Sequence, residues 1–468
     1  MIAGQRLLSL FLGAGVCVGY VLAGANTSVI VWLFVLVMVY VLSARIRVGG
    51  NHDMRRLAVF AYLFLSFWGT VNCLDNMRNF GTPFGTGGDD ASYFTQAEAL
   101  AVQSHWGDRT GLFDIVLAVW GGAISTLFRR PFELLDLLPL NWATAAGVVT
   151  ASYLLSIKIN GYGMPLWLLS LALLGNYNFV TSTVHLYREP LLLLFLLCGF
   201  LAWHEQRVVR TVIWMVPVAV LRGANVLLAM SYLGASWGCR TMKSRLAMYF
   251  IVGAVAVVAA WGADTIGMHL YRYSRQAWAY GTNPYTSFAD TVESRGAHIA
   301  GEIRSGSIAQ SVIQDRSTLA RAIRPLPYLF FPIRFWPLDG RRDSASPFGY
   351  DRTGNQFLHF YNLFQWFSVL SWVVVIPFLL IGWIHTTFNG TSHATGALLY
   401  YILCVVAVSY ISFQSRHALG FLIFNPLFAG IGYYQVQSSK GWRSAALVIA
   451  PVVLCVIVGF NVMTSLAE

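Results

Sequence analysis

Residues 86–94 read Thr-Gly-Gly-Asp-Asp-Ala-Ser-Tyr-Phe, and at this point a glycine-rich loop gives way to a helical pattern. The residues before this stretch are rich in Gly and include a Pro, so they favour turns over a continuing helix. Residues 91–103 have a helical pattern, with Asp90 or Ser92 placed to act as the N-cap. Asp89 and Asp90 therefore lie at a loop-to-helix junction, where a helix N-terminus stabilises negative charge.

The composition around this loop indicates a membrane protein. Charged residues make up 11% of the chain and hydrophobic residues 57%, whereas an ordinary soluble domain has about 25% charged residues. Several apolar runs approach the ~20 residues that cross a bilayer. We expect an all-α, polytopic bundle of about 11–14 spans, with broken helices, that forms a single integral membrane domain over residues 1–468.

Charge and cysteine usage argue against a nucleic-acid-binding protein, a zinc protein and a disulfide-stabilised protein. The net charge of +11 need not indicate a nucleic-acid partner, because the excess of Lys and Arg in cytoplasmic loops can supply most of it. The six cysteines are scattered, mostly within apolar runs, and no pair has metal-ligand spacing. They predict neither a zinc site nor a disulfide framework.

The distribution of basic residues predicts which loops are cytoplasmic. Four Arg residues in 45–56 assign that turn to the cytoplasm, so residues 76–110, with the acidic motif, form the first large external loop. The apolar run 111–128 is then expected to return inside at Arg129 and Arg130. The next apolar run would place the turn 158–163 outside.

Residues 164–184 do not form a plain apolar span, because residues 175–178 interrupt them. A break here keeps Arg188 and Glu189 external and the basic turn at Arg207 and Arg210 cytoplasmic. A continuous helix over the same residues would reverse both assignments, and the positive-inside rule favours the break.

A second break is predicted at Arg222, which lies near the middle of an otherwise apolar stretch. An Arg at the bilayer centre costs about 2.5–3.5 kcal/mol. A helix pair that rises, turns at Arg222 beside a polar cavity and descends again avoids this cost. Residues 269–361 then form a second large external segment, before the closing spans.

Under this topology the unusual polar residues converge on the external surface. These are Asp89, Asp90, His185, Arg188, Glu189, Arg222, Arg416 and His417. Each one has a structural explanation, since an Arg can extend to the headgroups and an acid can neutralise it. Together they suit sugar transfer, with a carboxylate as general base on an acceptor hydroxyl and Arg residues binding a phosphate leaving group. Tyr93 is a candidate surface for stacking of a sugar ring, although most such aromatics belong to the interfacial belt.

Four short motifs give the chain a resemblance to a known family. They are Gly-Gly-Asp-Asp-Ala-Ser-Tyr at 87–93, Tyr-Arg-Glu-Pro at 187–190, Leu-Arg-Gly-Ala-Asn at 221–225, and Ser-Arg-His at 415–417 ahead of Asn425 and Pro426. In this order the chain resembles the multi-spanning GT-C glycosyltransferases that use lipid-phosphate sugars, including bacterial polysaccharide-assembly members. The resemblance implies a catalytic acid in the first large external loop and basic residues that bind the lipid phosphate.

We therefore expect a glycosyltransferase in a bacterial inner membrane that acts on its external face. Its partners would be a polyprenyl-phosphate or polyprenyl-diphosphate sugar donor, a glycan acceptor and the bilayer. Asp89 is favoured as the base and Asp90 as the helix cap. The sequence requires no cofactor, and a divalent metal held by both acids stays open. The alternatives are a repeat-unit polysaccharide polymerase and a transporter or flippase of lipid-linked glycans, the latter disfavoured because both predicted breaks fall in one half of the chain.

Overall fold

The computed structural model describes residues 2–44, 53–84, 89–103, 111–161, 163–221, 223–241, 360–411 and 415–467. Within these ranges the chain is helical and contains no β-strand, which confirms the all-α expectation. Its helices are α1 Ile2–Leu22, α2 Ser28–Ala44, α3 Asp53–Phe80, α4 Asp89–Gln103, α5 Leu112–Phe128, α6 Leu134–Asn160, α7 Leu166–Leu173, α8 Tyr177–Val184, α9 Glu189–His204, α10 Val208–Leu221, α11 Gly223–Thr241, α12 Phe360–Asn389, α13 Ser392–Ile411, α14 Ser415–Leu422, α15 Asn425–Ser438 and α16 Lys440–Ala467.

Four or five of the described helical segments are long and apolar enough to cross a membrane. The four are Met54–Arg78, Leu134–Asn160, Phe367–Asn389 and Leu419–Ser438. The fifth is the pair α8 and α9, whose axes are bent by 116°. The expected 11–14 spans stay a prediction, because this number covers only the described residues and leaves out apolar helices such as α2 and α5, which are shorter than the ~20 residues a span needs.

The outer helices expose apolar side chains that a soluble protein would bury. Such residues include Leu10, Phe11 and Leu22 on α1, Phe34 and Leu42 on α2, Val209 and Val212 on α10, and Leu447 and Val448 on α16. Large contiguous apolar surfaces of this kind mark contact with a membrane or a partner. The buried side of these helices packs on a continuous apolar core.

Helix α6 runs through the core and defines two ends of the bundle. Near its start, the Asn141 side chain donates to the carbonyl oxygen of His185 at 2.5 Å. Near its end, Lys158 forms an ion pair with Glu205, just after α9. We call these the Asp90 end and the Lys158 end. Gly161 terminates α6 with a φ of 77°, a left-handed conformation that favours glycine.

Helices α7 and α8 together return the chain from the Lys158 end to the Asp90 end. The two are interrupted at residues 174–176, where the backbone of Gly175 lies so close to Ser371 of α12 that an added Cβ would be 2.5 Å from that side chain. The Tyr177 amide donates to the hydroxyl of Ser368 at 2.8 Å. The predicted break is therefore present, and only a glycine fits the closest point of contact.

The hairpin expected around Arg222 is also present, although Arg222 itself lies outside the described residues. Helix α10 rises antiparallel to α9, with Trp214 packed on Phe195 at 5.9 Å between ring centroids. Helix α11 descends again, because Tyr232 packs on Phe200 of α9 at 4.2 Å and Arg240 reaches His393 at the Lys158 end.

Part of the predicted topology is wrong, because α5 does not carry the chain from one end to the other. The first turn of α5 lies beside α4. The residues that follow the end of α5 lie at the start of α6, where Arg130 binds Asp136. Arg129 and Arg130 therefore lie at the Asp90 end. The turn 158–163 lies at the opposite end, together with Arg207 and Glu205. An apolar helix that lies along one end has the same hydropathy as one that crosses, which explains the error.

The structure describes much of one of the two segments predicted to be external and almost none of the other. The first, residues 76–110, is mostly helical, since α3 continues to Phe80 and α4 covers Asp89–Gln103. The second, residues 269–361, lies outside the described residues up to residue 359.

Candidate functional site

Helix α4 is fixed at the Asp90 end by aromatic packing. The Phe94 ring lies between those of Phe84 and Phe132, with centroid distances of 5.3 and 5.5 Å. The Asn76 side chain of α3 donates to the Pro83 carbonyl at 3.3 Å and shapes the turn between the two helices. Phe94 is therefore a packing residue that anchors the first turns of α4.

The first turn of α4 brings Asp90 to His185, which is 95 residues away in sequence. Oδ2 of Asp90 lies 2.7 Å from Nδ1 of His185, and Oδ1 accepts from the backbone N–H of Leu186 at 3.2 Å. Both side chains are buried. Since an ionised carboxylate only accepts hydrogen bonds, the geometry assigns the proton of this contact to Nδ1.

This contact corrects the cap role expected for Asp90. Helix α4 begins at Asp89, one residue before Asp90, and both carboxylate oxygens of Asp90 bind the segment between α8 and α9. The Asp89 backbone is helical, but its side chain lies outside the described residues. Its predicted role as base therefore stays a prediction.

The segment that presents His185 is held by α6. Asn141 donates to the carbonyls of Thr183 and His185 at 3.3 and 2.5 Å, and the Trp142 indole donates to the Val184 carbonyl at 3.3 Å. These bonds satisfy backbone acceptors that the end of α8 leaves without helical partners. On the other side, the Tyr187 ring stacks on His185 at 5.3 Å. The imidazole is therefore positioned by α4, by α6 and by the neighbouring Tyr187 of its own segment.

A second buried acid, Asp114, lies at the same end, in the first turn of α5. Its Oδ2 accepts from the Gly111 N–H at 2.7 Å, and the Gln96 amide, with its nitrogen turned toward α5, donates to both carboxylate oxygens at 3.2 Å. Burial raises the pKa of Asp114, while the Gly111 N–H and the charge of Arg188 oppose that shift. Arg188 is thus close enough to act electrostatically on a buried carboxylate of this end.

Glu189 and Tyr93 also belong to this region. Glu189 is buried in the first turn of α9, followed by Pro190, and a negative charge is favourable at a helix N-terminus. Tyr93 is partly buried and packs edge-on against Phe113 at 5.1 Å. This contact links α4 to the start of α5.

The remaining predicted residues are placed only in part. Arg416 and His417 belong to α14, which packs on α8, the helix that leads to His185. Their side chains lie outside the described residues, and Arg222 does so entirely. The structure therefore places Asp90, His185, Arg188, Glu189 and Tyr93 at one end of the bundle. The side-chain contacts of Asp89, Arg222, Arg416 and His417 lie outside the described residues.

Three residues of this region were not predicted from the sequence: Asp114, Gln96 and Asn141. The signal for Asp114 was available, since an acid within an otherwise apolar run is costly unless it is paired. Asn141 offered no such signal, because one Asn near a helix start has many structural roles.

Comparison with protein families, with curated proteins and with solved structures finds no match for this chain. Within the described ranges, no three side chains of His, Cys, Asp or Glu are grouped so that they could hold a metal ion.

Proposed function

We propose that this protein is a membrane glycosyltransferase that moves a sugar from a polyprenyl-phosphate-linked donor to a lipid-linked glycan or polysaccharide. The observation that supports it best is the buried Asp90–His185 pair, held where α8 and α9 reverse direction. Buried ionisable groups within a membrane bundle usually mark a functional site.

The pair has the arrangement of a positioned general base. Asp90 accepts from Nδ1 and so sets the tautomer in which Nε2 of a neutral imidazole is the basic nitrogen. In the proposed step Nε2 takes the proton of the acceptor hydroxyl. That oxygen forms a bond to the anomeric carbon, while the bond from this carbon to the phosphate oxygen breaks. The bonding electrons leave with the lipid phosphate. Asp89 is the alternative base in this scheme.

The charge that develops on the phosphate needs a cation nearby. Arg188 lies in the same short segment as His185, just before α9, and its charge acts on Asp114, so it is positioned at this end. A guanidinium binds phosphate oxygens through two parallel hydrogen bonds. Arg222 and Arg416 remain candidates for the same role, as the resemblance to the GT-C enzymes implies.

The proposal includes the membrane setting. The Asp90 end would face the exterior of a bacterial inner membrane, because cytoplasmic loops are rich in Lys and Arg and most of the described basic turns lie at the Lys158 end. The turn with Arg129 and Arg130 is the exception, and Arg130 there is neutralised by Asp136. The expected 11–14 spans belong to this proposal too. A repeat-unit polymerase needs a similar site and differs only in the size of the group transferred.

One structural feature favours the transporter alternative. Besides the interruption at residues 174–176, the late segment α14–α15 is interrupted at residues 423–424, and Asn425 donates to the Ala172 carbonyl at 3.5 Å. Interrupted helices therefore occur in both halves of the chain, contrary to the sequence-based expectation. Such helices line substrate sites in several transporter folds.

A transfer assay with the purified protein separates these functions. Wild type and His185→Gln would be incubated in detergent with a lipid-phosphate sugar donor and a lipid-linked acceptor. We expect wild type to form product, and His185→Gln to do so about 10²–10⁴-fold more slowly, because a general base contributes that factor. The control is Glu133→Gln, which removes an exposed acid at the same end and should retain the wild-type rate. Equal transfer rates in all three proteins would contradict the proposal. So would protein in vesicles that moved the lipid-linked sugar across the membrane without transferring the sugar.

A further inference from the structure

A second cluster of ionisable residues lies at the Lys158 end, where four helix termini meet. Lys158 ends α6, His204 ends α9, Arg240 lies in the last turn of α11, and His393 lies in the first turn of α13. None of these residues takes part in the site at the Asp90 end. The two clusters are separated by the length of α6 and α9.

Two imidazoles form the centre of this cluster. The rings of His204 and His393 lie 4.5 Å apart between centroids. His393 is buried, and Arg240 Nη2 hydrogen-bonds to its Nε2. Because a guanidinium only donates, Nε2 must accept, so the proton of a neutral His393 is on Nδ1.

The Nδ1 atoms of both imidazoles are buried without a hydrogen-bond partner within the described part of the chain. An unsatisfied buried polar group costs about 1–3 kcal/mol. The buried Nδ1–H of His393 is therefore a donor without an acceptor among the described residues, and it lowers the stability of the fold by about this amount. An acceptor from outside the chain would remove this cost.

The surrounding charges determine which kind of acceptor fits. Glu205 is the acid of this cluster; it pairs with Lys158 and lies 3.5 Å from Arg207. The nearby cations are Lys158, Arg207, Arg210 and Arg240. Four positive charges and one negative charge leave an excess of three. The first turn of α13 contains no acid, and its N-terminus adds partial positive charge.

Helix dipoles alone do not explain this cluster. Lys158 and Arg240 are favourable at helix C-termini, as any cation is. That explanation leaves the unsatisfied imidazoles unaccounted for. A metal cation is disfavoured because Arg240 already occupies Nε2 of His393 and would repel it.

We propose that His393, His204 and Arg240 form a binding site for a phosphate group at the Lys158 end. The Nδ1–H of His393 and the free N–H groups of the Arg240 guanidinium donate to its oxygens. The ring N–H of His204 adds a further donor. The ligand is a free phosphate or the phosphate of an anionic lipid headgroup, since both present the same chemistry.

Thermal unfolding of the full-length protein in neutral detergent tests the site. Sodium phosphate would be titrated against sodium chloride at matched ionic strength. We expect phosphate at about 100 times its dissociation constant to raise the midpoint of wild type by about 2–4 °C. Arg240→Gln and His204→Gln should lose most of this rise. Arg443→Gln, which changes an Arg at the start of α16 at the same end, should keep it.

A parallel measurement separates the two sources of phosphate. Wild type and Arg240→Gln would be unfolded in phosphatidylcholine nanodiscs with and without phosphatidylglycerol. A shift with phosphatidylglycerol alone that Arg240→Gln abolishes assigns the site to a lipid headgroup, and a shift with inorganic phosphate assigns it to a free anion. His204→Gln is included because His204 is only half-buried and its replacement should preserve folding. Shifts that are equal in all variants, or absent with both ligands, would overturn the proposal.

Discussion

The two ends of the bundle differ in how their charged residues are used. At the Asp90 end, acids are buried and held by residues far away in sequence, as in Asp90 with His185. At the Lys158 end, the described cations cluster at helix termini, and Glu205, which pairs with Lys158 and Arg207, is partly exposed. The first pattern costs free energy and needs a function or a precise partner to explain it. The second follows largely from membrane orientation and helix dipoles.

The largest effect that tests this comparison is all-or-none labelling of single cysteines in cells. Cysteines would replace Glu133, Gly163 and Arg210, one at a time, in a cysteine-free background. Because the Lys158 end contains both the turn after α6 and the turn before α10, we expect Gly163→Cys and Arg210→Cys to be accessible from one side of the membrane. Glu133→Cys should be accessible only from the other side.

The sequence-based topology predicts a different grouping, with Glu133 and Arg210 on one side and Gly163 on the other. An impermeant maleimide, applied to intact cells and to inverted vesicles, distinguishes the two groupings. If Glu133→Cys and Arg210→Cys were labelled together, α5 would cross the membrane and the division into two ends would be wrong.

A smaller effect concerns the stability of the ion pairs at the two ends. Arg130 forms two hydrogen bonds of 2.8 and 2.9 Å to the fully buried Asp136. Arg130→Met should therefore cost about 3–5 kcal/mol, because it leaves a buried carboxylate unpaired. Glu205→Gln should cost only about 0.2–1 kcal/mol, since the Lys158–Glu205 pair is partly exposed. Equilibrium unfolding in mixed micelles compares the two, and equal losses would remove this distinction between the ends.

The small effect of Glu205 has a defined pH dependence. Its pKa is held below the ordinary value, chiefly by the hydrogen bond from Lys158. The stabilisation is therefore complete above the unfolded-state pKa of ~4.3 and is lost as the pH falls through the lower folded-state value. The stability difference between wild type and Glu205→Gln should accordingly vanish in acid.

Local features of the site could be predicted from sequence. The helix after the glycine-rich loop ends at Gln103 as expected and begins two residues earlier than expected. The interruption near Gly175 and the hairpin of α10 and α11 are also present. In each case Gly, Pro or an isolated Arg in an apolar run gave a signal, because these residues are costly inside a plain helix.

Features that depend on packing could not be predicted. Hydropathy does not distinguish α6, which runs from the Asp90 end to the Lys158 end, from α5, which begins and ends at the Asp90 end. The pairing of Asp90 with His185 depends on where α4 packs against the end of α8. A single sequence does not show which residues that are far apart in the chain come into contact. The interruption before Asn425 had a signal in Pro426, which occupies the first turn of α15, but the apolar run around it suggested a single span.

A double-mutant cycle on Asp90 and His185 tests the central claim most directly. The rate of sugar transfer from a lipid-phosphate donor would be measured for Asp90→Asn, His185→Gln and the double variant. Residues that act as one unit are strongly non-additive. We therefore expect each single variant to lose about 10²–10⁴ in rate and the double variant to lie within about threefold of the slower one. Losses that multiply in the double variant, or an Asp90→Asn protein as fast as wild type, would contradict the account.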